Sequence, residues 1–321
     1  MILESKVLKY SKATYYSQGF IVPKSNGEWR LVIDYRALNK CTLNAEGWPI
    51  PNIRECLARL GNAKPKYMAV MDLTSGYYQA EISELCSKLT AFITPMGVFE
   101  WHRLPMGLRG APSYFQRMMA TQVLRGLLYT CCEVYLDDVI VYGSTEEEFL
   151  SNLRKVLERF RECNITLNPK KCVFGVSRIE YVGHVIDSEG MSFTEDRLTD
   201  INSVEKPSTL SGLRSFLGLA NWFHDHIRDH STIVRPLNQM VAQHKAVRRL
   251  VWTEECNKAF YDIREMISKC PKLFFMDDIN PIVLATDASD YGIGGYLYQI
   301  IDGKEVPIAF ISKSLNETQA D

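Results

Sequence analysis

The sequence predicts an α+β fold, on three observations. EVYLDDVIVYG, residues 133–143, reads as two apolar strand segments meeting at adjacent aspartates. Directly after it, residues 144–164 switch to the 3.6-residue period of an amphipathic helix. From residue 281 onward, three consecutive strand patterns follow with no helical stretch between them.

The elements can be justified in chain order. FIVPKSNGEWRLVIDYRALNK, residues 20–40, holds two apolar runs around an Asn26-Gly27 step, the strongest short hairpin signal. YMAVMDLTSGYYQAEI is a strand that ends in a break at Ser75 and Gly76. GAPSYFQRMMATQVLRGLL follows as one helix, with Pro112 in its first turn and Phe115, Met119 and Val123 at helical spacing. In the Asp-Asp hairpin the expected strands are 133–136 and 139–143, with Asp137 and Asp138 at the tip. The helix after it opens on a capping box, Thr145 to Glu148, and carries Phe149, Leu150, Leu153, Val156, Leu157 and Phe160 on one face. RIEYVGHVIDSEGMSF gives two short strands joined at DSEG, and PSTLSGLRSFLGLANWF and TEECNKAFYDIREMISKC give amphipathic helices. The closing strands are PIVLATDASD, GIGGYLYQII and VPIAFISKSL, the last two joined by Asp302-Gly303.

Composition bounds the function less than the motifs do. Of 321 residues, 46% are apolar and 23% charged, an ordinary globular balance. Lys and Arg total 37 against 38 Asp and Glu, so a polyanion partner would need a local basic site. The opening MILESKVLKYSK has no signal-peptide core, and no stretch reaches the ~20 apolar residues of a membrane span. The expectation is an intracellular protein, cytoplasmic or nuclear, with no membrane partner. Nine cysteines without a C-x-x-C pair read as reduced thiols. His224, His226 and His230 have ligand-like spacing, but nothing nearby completes a tetrahedral zinc set.

The aspartate pair is the exception that carries chemistry. Asp is depleted in strands, and the tip lacks the glycine of a usual two-residue hairpin. Two carboxylates about 4 Å apart repel by roughly 4 kcal/mol at an effective dielectric of ~20, which a cation would reverse. Two readings stand on this segment alone, a solvated turn and a cation site. Asp72 ends a second apolar strand, and side-by-side antiparallel strands would bring three carboxylates to one edge. Such a donor set, all oxygen, selects Mg²⁺ over Zn²⁺ and suits in-line phosphoryl transfer by two metal ions.

The chain carries, in this order, WRLVIDYRALNK (29–40), MDLTSGYYQ (71–79), LPMGLRGAPSYFQRMM (104–119), VYLDD (134–138), NPKKCVFG (168–175), YVGHVI (181–186), LRSFLGLANWF (213–223) and TDASDYGIGGYL (286–297). With these segments it resembles the reverse transcriptase of the Ty3/gypsy class of long-terminal-repeat retrotransposons, as a piece of a pol polyprotein. The resemblance implies a right-hand polymerase: fingers and palm over 1–190, thumb over 191–250, connection over 251–280, and an incomplete ribonuclease H-like sheet over 281–321. It implies RNA-directed DNA polymerase activity, adding deoxynucleoside triphosphates to a primer paired with an RNA or DNA template.

The same resemblance implies residue roles. Asp72 and Asp137 match the ligands of two Mg²⁺ ions, with Mn²⁺ as a substitute, and Asp138 the third carboxylate, more electrostatic than ligating. Lys24 and Arg30 match the fingers residues that clamp the triphosphate; Ser75 and Gly76 would offer it backbone N–H groups. Tyr77 matches the aromatic that crowds the sugar 2′ position, and Met106 and Gly107 the floor of the nucleotide pocket. Lys171 matches a lysine that protonates pyrophosphate. Val182, Gly183 and His184 match the hairpin that steadies the primer terminus. The three histidines fall where the family has Arg, Lys and aromatics, which implies phosphate or packing contacts.

Two departures qualify the match. Only about 19 residues precede GFIVPKSNGEWR, where the family carries a longer fingers segment. Asp287 matches the first ribonuclease H aspartate, but the chain stops before the other carboxylates, so ribonuclease H activity is not expected and Asp287 is vestigial. The alternative to a polymerase is a catalytically dead copy that folds and at most binds nucleic acid.

Overall fold

The computed structural model describes residues 7–23, 27–43, 47–243, 250–289 and 292–315. The chain forms two compact units, Met1–Val182 and Gly183–Asp321. In the first, the strands are β1 (Leu8–Tyr10), β2 (Ser17–Pro23), β3 (Trp29–Ile33), β4 (Tyr67–Asp72), β5 (Phe92–Thr94), β6 (Gly97–Trp101), β7 (Cys132–Tyr135), β8 (Asp138–Gly143), β9 (Val173–Val176) and β10 (Arg178–Tyr181). Its helices are α1 (Arg36–Cys41), α2 (Ile53–Asn62), α3 (Glu84–Leu89), α4 (Ala111–Met118) and α5 (Glu146–Glu162).

Nine of these strands, all but β10, make two sheets, ordered β1-β6-β5-β2-β3 and β7-β8-β4-β9. The second holds the site. β4 and β8 run antiparallel in unbroken register from Tyr67↔Gly143 to Asp72↔Asp138. Their sequences, YMAVMD and DVIVYG, are apolar on both faces because both faces are covered: Met68, Ala69, Met71, Val139, Ile140 and Val141 are all fully buried. Phe115 of α4 and Val156 and Phe160 of α5 pack into the same core as Met71, Val139 and Val141. Behind β7, Arg59 of α2 forms a two-pronged pair with Glu133, Nε to Oε1 and Nη2 to Oε2, both at 2.9 Å.

Several sequence expectations shift here. The hairpin tip is Leu136-Asp137, not Asp137-Asp138: Asp138 already belongs to β8 and faces Tyr135. The helix expected over 110–128 is α4 followed by a π-helical turn, Met119–Val123. α5 is capped by Thr145, whose hydroxyl accepts from Glu148 N–H at 3.2 Å, but the Glu148 carboxylate returns to Ser144 instead of Thr145. Leu150 and Leu157, expected on the buried face of α5, are 52% and 37% exposed. Lys24 lies outside the described residues.

In the second unit the strands are β11 (His184–Asp187), β12 (Gly190–Ser192), β13 (Leu273–Phe274), β14 (Ile282–Ser289), β15 (Gly292–Ile301) and β16 (Lys304–Ser314), and the helices are α6 (Glu195–Ser203), α7 (Leu210–Asn221), α8 (His230–Gln243) and α9 (Glu254–Ser268). α7, α8 and α9 share a core built on Leu213, Phe216, Leu237, Phe260 and Ile263. β14, β15 and β16 form an antiparallel meander whose second turn is Asp302-Gly303, both at positive φ. Ile282, Leu284 and Ile311 are exposed on it.

Of the three histidines, His226 and His230 are packing residues, whereas the half-buried His224 pairs through Nδ1 with the Asn221 carbonyl at 2.7 Å. His226 is buried, bonded through Nδ1 to the Pro271 carbonyl at 3.1 Å and packed on Phe193. His230 is buried with no hydrogen-bond partner for Nε2. Burial lowers both imidazoles to about 4. The unfolded chain therefore takes up protons as pH falls through ~6.5 while the folded chain resists until about 4, so the stability they confer is complete above that range and is lost on acidification. The expected loss between pH 7 and 4 is roughly 2–3 kcal/mol per histidine. Melting temperatures followed by circular dichroism should fall across this window and fall less in a His226→Phe, His230→Phe variant; equal slopes would refute the assignment.

Candidate active site

Strand pairing sets the geometry. Because β4 and β8 end together, Asp72 and Asp138 are cross-strand neighbours, and the tight turn places Asp137 one residue before Asp138. Leu136, in that turn, has φ +56, a left-handed conformation unusual for a bulky residue. Gln116 of α4 holds it there: its Oε1 accepts from Leu136 N–H at 2.7 Å, and its Nε2 donates to the Val134 carbonyl at 3.2 Å. Gln116 is buried, so neither bond competes with water. Gln116→Ala should release the hairpin, at about 1–3 kcal/mol of stability and a loss of activity larger than that stability loss explains, checked by urea unfolding beside nucleotide incorporation.

The opposite wall of the hairpin is equally close. Ser75 sits at φ +50 and turns the chain from β4 into Gly76. A Cβ on Gly76 would lie 3.1 Å from the Asp137 Cβ and 3.4 Å from Phe115 Cζ, so a larger residue there would press the two segments apart by a few tenths of an ångström. Tyr77, next along, stacks on Phe115 with ring centroids 4.9 Å apart. Its phenol is raised first by burial, then by the Asp137 charge.

These segments wall a cleft of about 900 Å³. Asp72, Ser75, Gly76 and Asp137 line it, together with Arg30, Met106, Asn168, Lys170 and Lys171. Lys171 Nζ lies 3.5 Å from Asp72 Oδ2. Asp138 stands behind this wall, its carboxyl pushed up to about 6 by burial, then by Asp137 and Asp72, with Lys171 opposing. Burial is the larger cause of that elevation, and the two neighbouring carboxylates add to it.

Among the described residues no three His, Cys, Asp or Glu groups converge to hold a metal by themselves. The donor set still fits Mg²⁺, an ion bound through one or two carboxylates and completed by substrate phosphates and water rather than by a protein cage. Asp72 and Asp137 are such a pair, free of nitrogen and sulfur donors.

The remaining sequence-named residues fall differently. Gly107, at φ +95, does not line the cleft; its carbonyl accepts from Asn39 Nδ2 at 2.9 Å. Val182 and Gly183 form a turn with φ +46 and +75. His184 is buried against Phe193 and Trp222, so its ring belongs to a core. Asp287 lies exposed on β14 opposite Gly294, far along the chain from the other carboxylates. Gln116 and Asn39 were not singled out from the sequence; a polar residue on an otherwise apolar helix, as in SYFQRMM, was the available signal for Gln116.

An antiparallel sheet that presents two aspartates to a basic-walled cleft defines a polymerase palm. The chain belongs to the reverse transcriptase (RNA-dependent DNA polymerase) family, whose model matches residues 22–186, and a second model, the RNase H-like domain found in reverse transcriptase, matches 252–321. It is 33% identical over 331 residues to the retrovirus-related Pol polyprotein from transposon opus of Drosophila melanogaster, covering 99% of this chain and 33% of that one. It is 33% identical to the polyprotein from transposon gypsy of the same organism, covering 99% of this chain and 31% of that one. Among solved structures it resembles the foamy viral protease-reverse transcriptase in complex with RNA/DNA hybrid, at 27% identity and a TM-score of 0.82, covering 99% of this chain and 42% of that one. The chain thus spans about a third of these curated relatives, and the likeness to Ty3/gypsy-class polymerases and to a right-hand α+β fold holds.

Proposed function

We propose that this chain extends a primer with deoxynucleotides on an RNA or DNA template, as an RNA-directed DNA polymerase. The observation that carries this is the presence of Asp72, Asp137, Arg30 and Lys171 on the walls of one cleft. Two carboxylates opposite two cations suit a triphosphate bound together with divalent ions. Mg²⁺ or Mn²⁺, when bound by Asp72 and Asp137, would acidify the primer 3′-hydroxyl and offset charge on the leaving pyrophosphate.

The protein's own groups do the rest. The exposed Arg30 guanidinium, on β3, grips triphosphate oxygens from the fingers side. Ser75 and Gly76 approach closely enough to offer backbone N–H groups. Tyr77, fixed by Phe115, crowds the sugar 2′ position and favours deoxynucleotides. Lys171 stands where a proton can be given to pyrophosphate. Asp138 adds negative potential behind the ligands without touching the cleft. Duplex binding would be sequence-independent and salt-sensitive, because phosphates supply the affinity. The foamy viral relatives solved with RNA/DNA hybrid and with double-stranded DNA support a primer–template partner. No described helix is long and apolar enough to cross a membrane.

Extension of oligo(dT) on poly(rA) with Mg²⁺ or Mn²⁺ tests the proposal. Incorporation above an Asp137→Ala control is expected; incorporation no greater than the control would favour the catalytically dead reading.

A further inference from the structure

We propose that Gln79 is a positioning residue that sets the strap 166–171, and with it Lys171, against the catalytic edge. This rests on the polymerase reading above. The strap contributes Asn168, Lys170 and Lys171 to the lining of the cleft. Its own backbone reaches β4 through Asn168 N–H to the Asp72 carbonyl at 2.9 Å, and the segment just after β4 through Thr74 N–H to the Thr166 carbonyl at 3.0 Å. Those two bonds leave the Thr166 N–H and the Thr74 carbonyl to be satisfied from elsewhere.

Gln79 satisfies both. Its Oε1 accepts from Thr166 N–H at 2.7 Å, and its Nε2 donates to the Thr166 and Thr74 carbonyls, each at 2.8 Å. One planar amide therefore grips both groups of Thr166 and bridges to Thr74, on the segment that leads to Ser75 and Gly76. A glutamate has no donor for the two carbonyls, and an asparagine is one methylene short. Gln79 is itself anchored in the short helical turn Gly76–Gln79, whose glycine abuts Asp137. The same four residues thus set the distance between the hairpin, β4 and the strap.

Thr74 and Thr166 are exposed, so water can replace the lost bonds and the fold as a whole should survive removal of the amide. Water does not hold a bond angle, and Lys171 sits 3.5 Å from Asp72 only while the strap is fixed. The effect should fall on steps that involve the triphosphate and pyrophosphate, not on primer–template affinity.

The test compares wild type, Gln79→Ala, Lys171→Ala and the double variant in single-nucleotide incorporation of dTTP on poly(rA)–oligo(dT). Gln79→Ala should lower kcat/KM for dTTP by about 10- to 100-fold, with primer–template Kd and melting temperature as in wild type. The double variant should lose little beyond Lys171→Ala alone, since both changes act through the same ammonium. Additive losses, an equal loss of primer–template binding, or no loss would overturn the inference. Hydrogen exchange at the Thr166 amide reads the tie without substrate: slow in wild type and fast in Gln79→Ala, whereas equal rates refute it even if the wild-type chain proves inactive.

Discussion

Replacing Asp137 with Ala or Asn should abolish primer extension, by about a thousandfold or more, while leaving the fold intact or slightly more stable. The two effects have one cause. Asp137 faces the cleft beside Asp72 and ahead of Asp138, whose carboxyl is held up at about 6 by burial and by these two neighbours. Removing one charge relieves that crowding, so the folded state gains while the cation site loses a ligand. Loss of a purely structural residue would move both quantities the same way. Extension assays read beside thermal melts decide between these, and a variant that is inactive because it is unfolded would contradict the assignment. Asp72→Asn should behave alike and also release Lys171, its partner at 3.5 Å.

Arg59→Ala should be the most destabilising single change on the far side of the sheet, by about 3–5 kcal/mol. The reason is asymmetry of burial: the Glu133 side chain is 1% exposed and that of Arg59 is 32% exposed. Truncating Arg59 strands a carboxylate in the core of β7, whereas truncating Glu133 leaves a guanidinium that can turn toward solvent and the Tyr129 ring, 4.5 Å from its centroid. Glu133→Ala should therefore cost less than Arg59→Ala. Urea unfolding of both variants at neutral pH measures this order, and equal costs would contradict it. β7 leads directly into the Leu136-Asp137 turn, so the larger deficit should carry an activity loss with it.

What the sequence made legible was local. Asp72 closing an apolar run and Asp137-Asp138 interrupting another were readable as an edge of carboxylates because strand propensity breaks there for no structural gain. Asp302-Gly303 announced the last hairpin because its residues tolerate positive φ. The tip of the central hairpin was misplaced by one residue for the opposite reason: local propensity favours Asp in a left-handed turn, but Leu136 takes that conformation because Gln116, 20 residues earlier, bonds its amide. Arg59 and Glu133 are 74 residues apart, and Gln79 and Thr166 are 87 apart. No periodicity or turn signal connects such pairs, since their partnership exists only once the sheet has formed. The resemblance at Val182, Gly183 and His184 concerned a backbone turn, which forms at φ +46 and +75; that the His184 ring packs among aromatics was not legible, because those partners lie elsewhere in the sequence.

The central claim is that Asp72 and Asp137 hold divalent ions at the head of β4 and β8. Fe²⁺ can be loaded in place of Mg²⁺, with dideoxy-terminated primer–template and dTTP, and peroxide and ascorbate then cut the backbone beside the bound iron. Cuts are expected near residues 72–76 and 136–138, suppressed by excess Mg²⁺ and missing in Asp137→Asn. Cleavage confined to other segments, or unchanged by that substitution, would contradict the assignment.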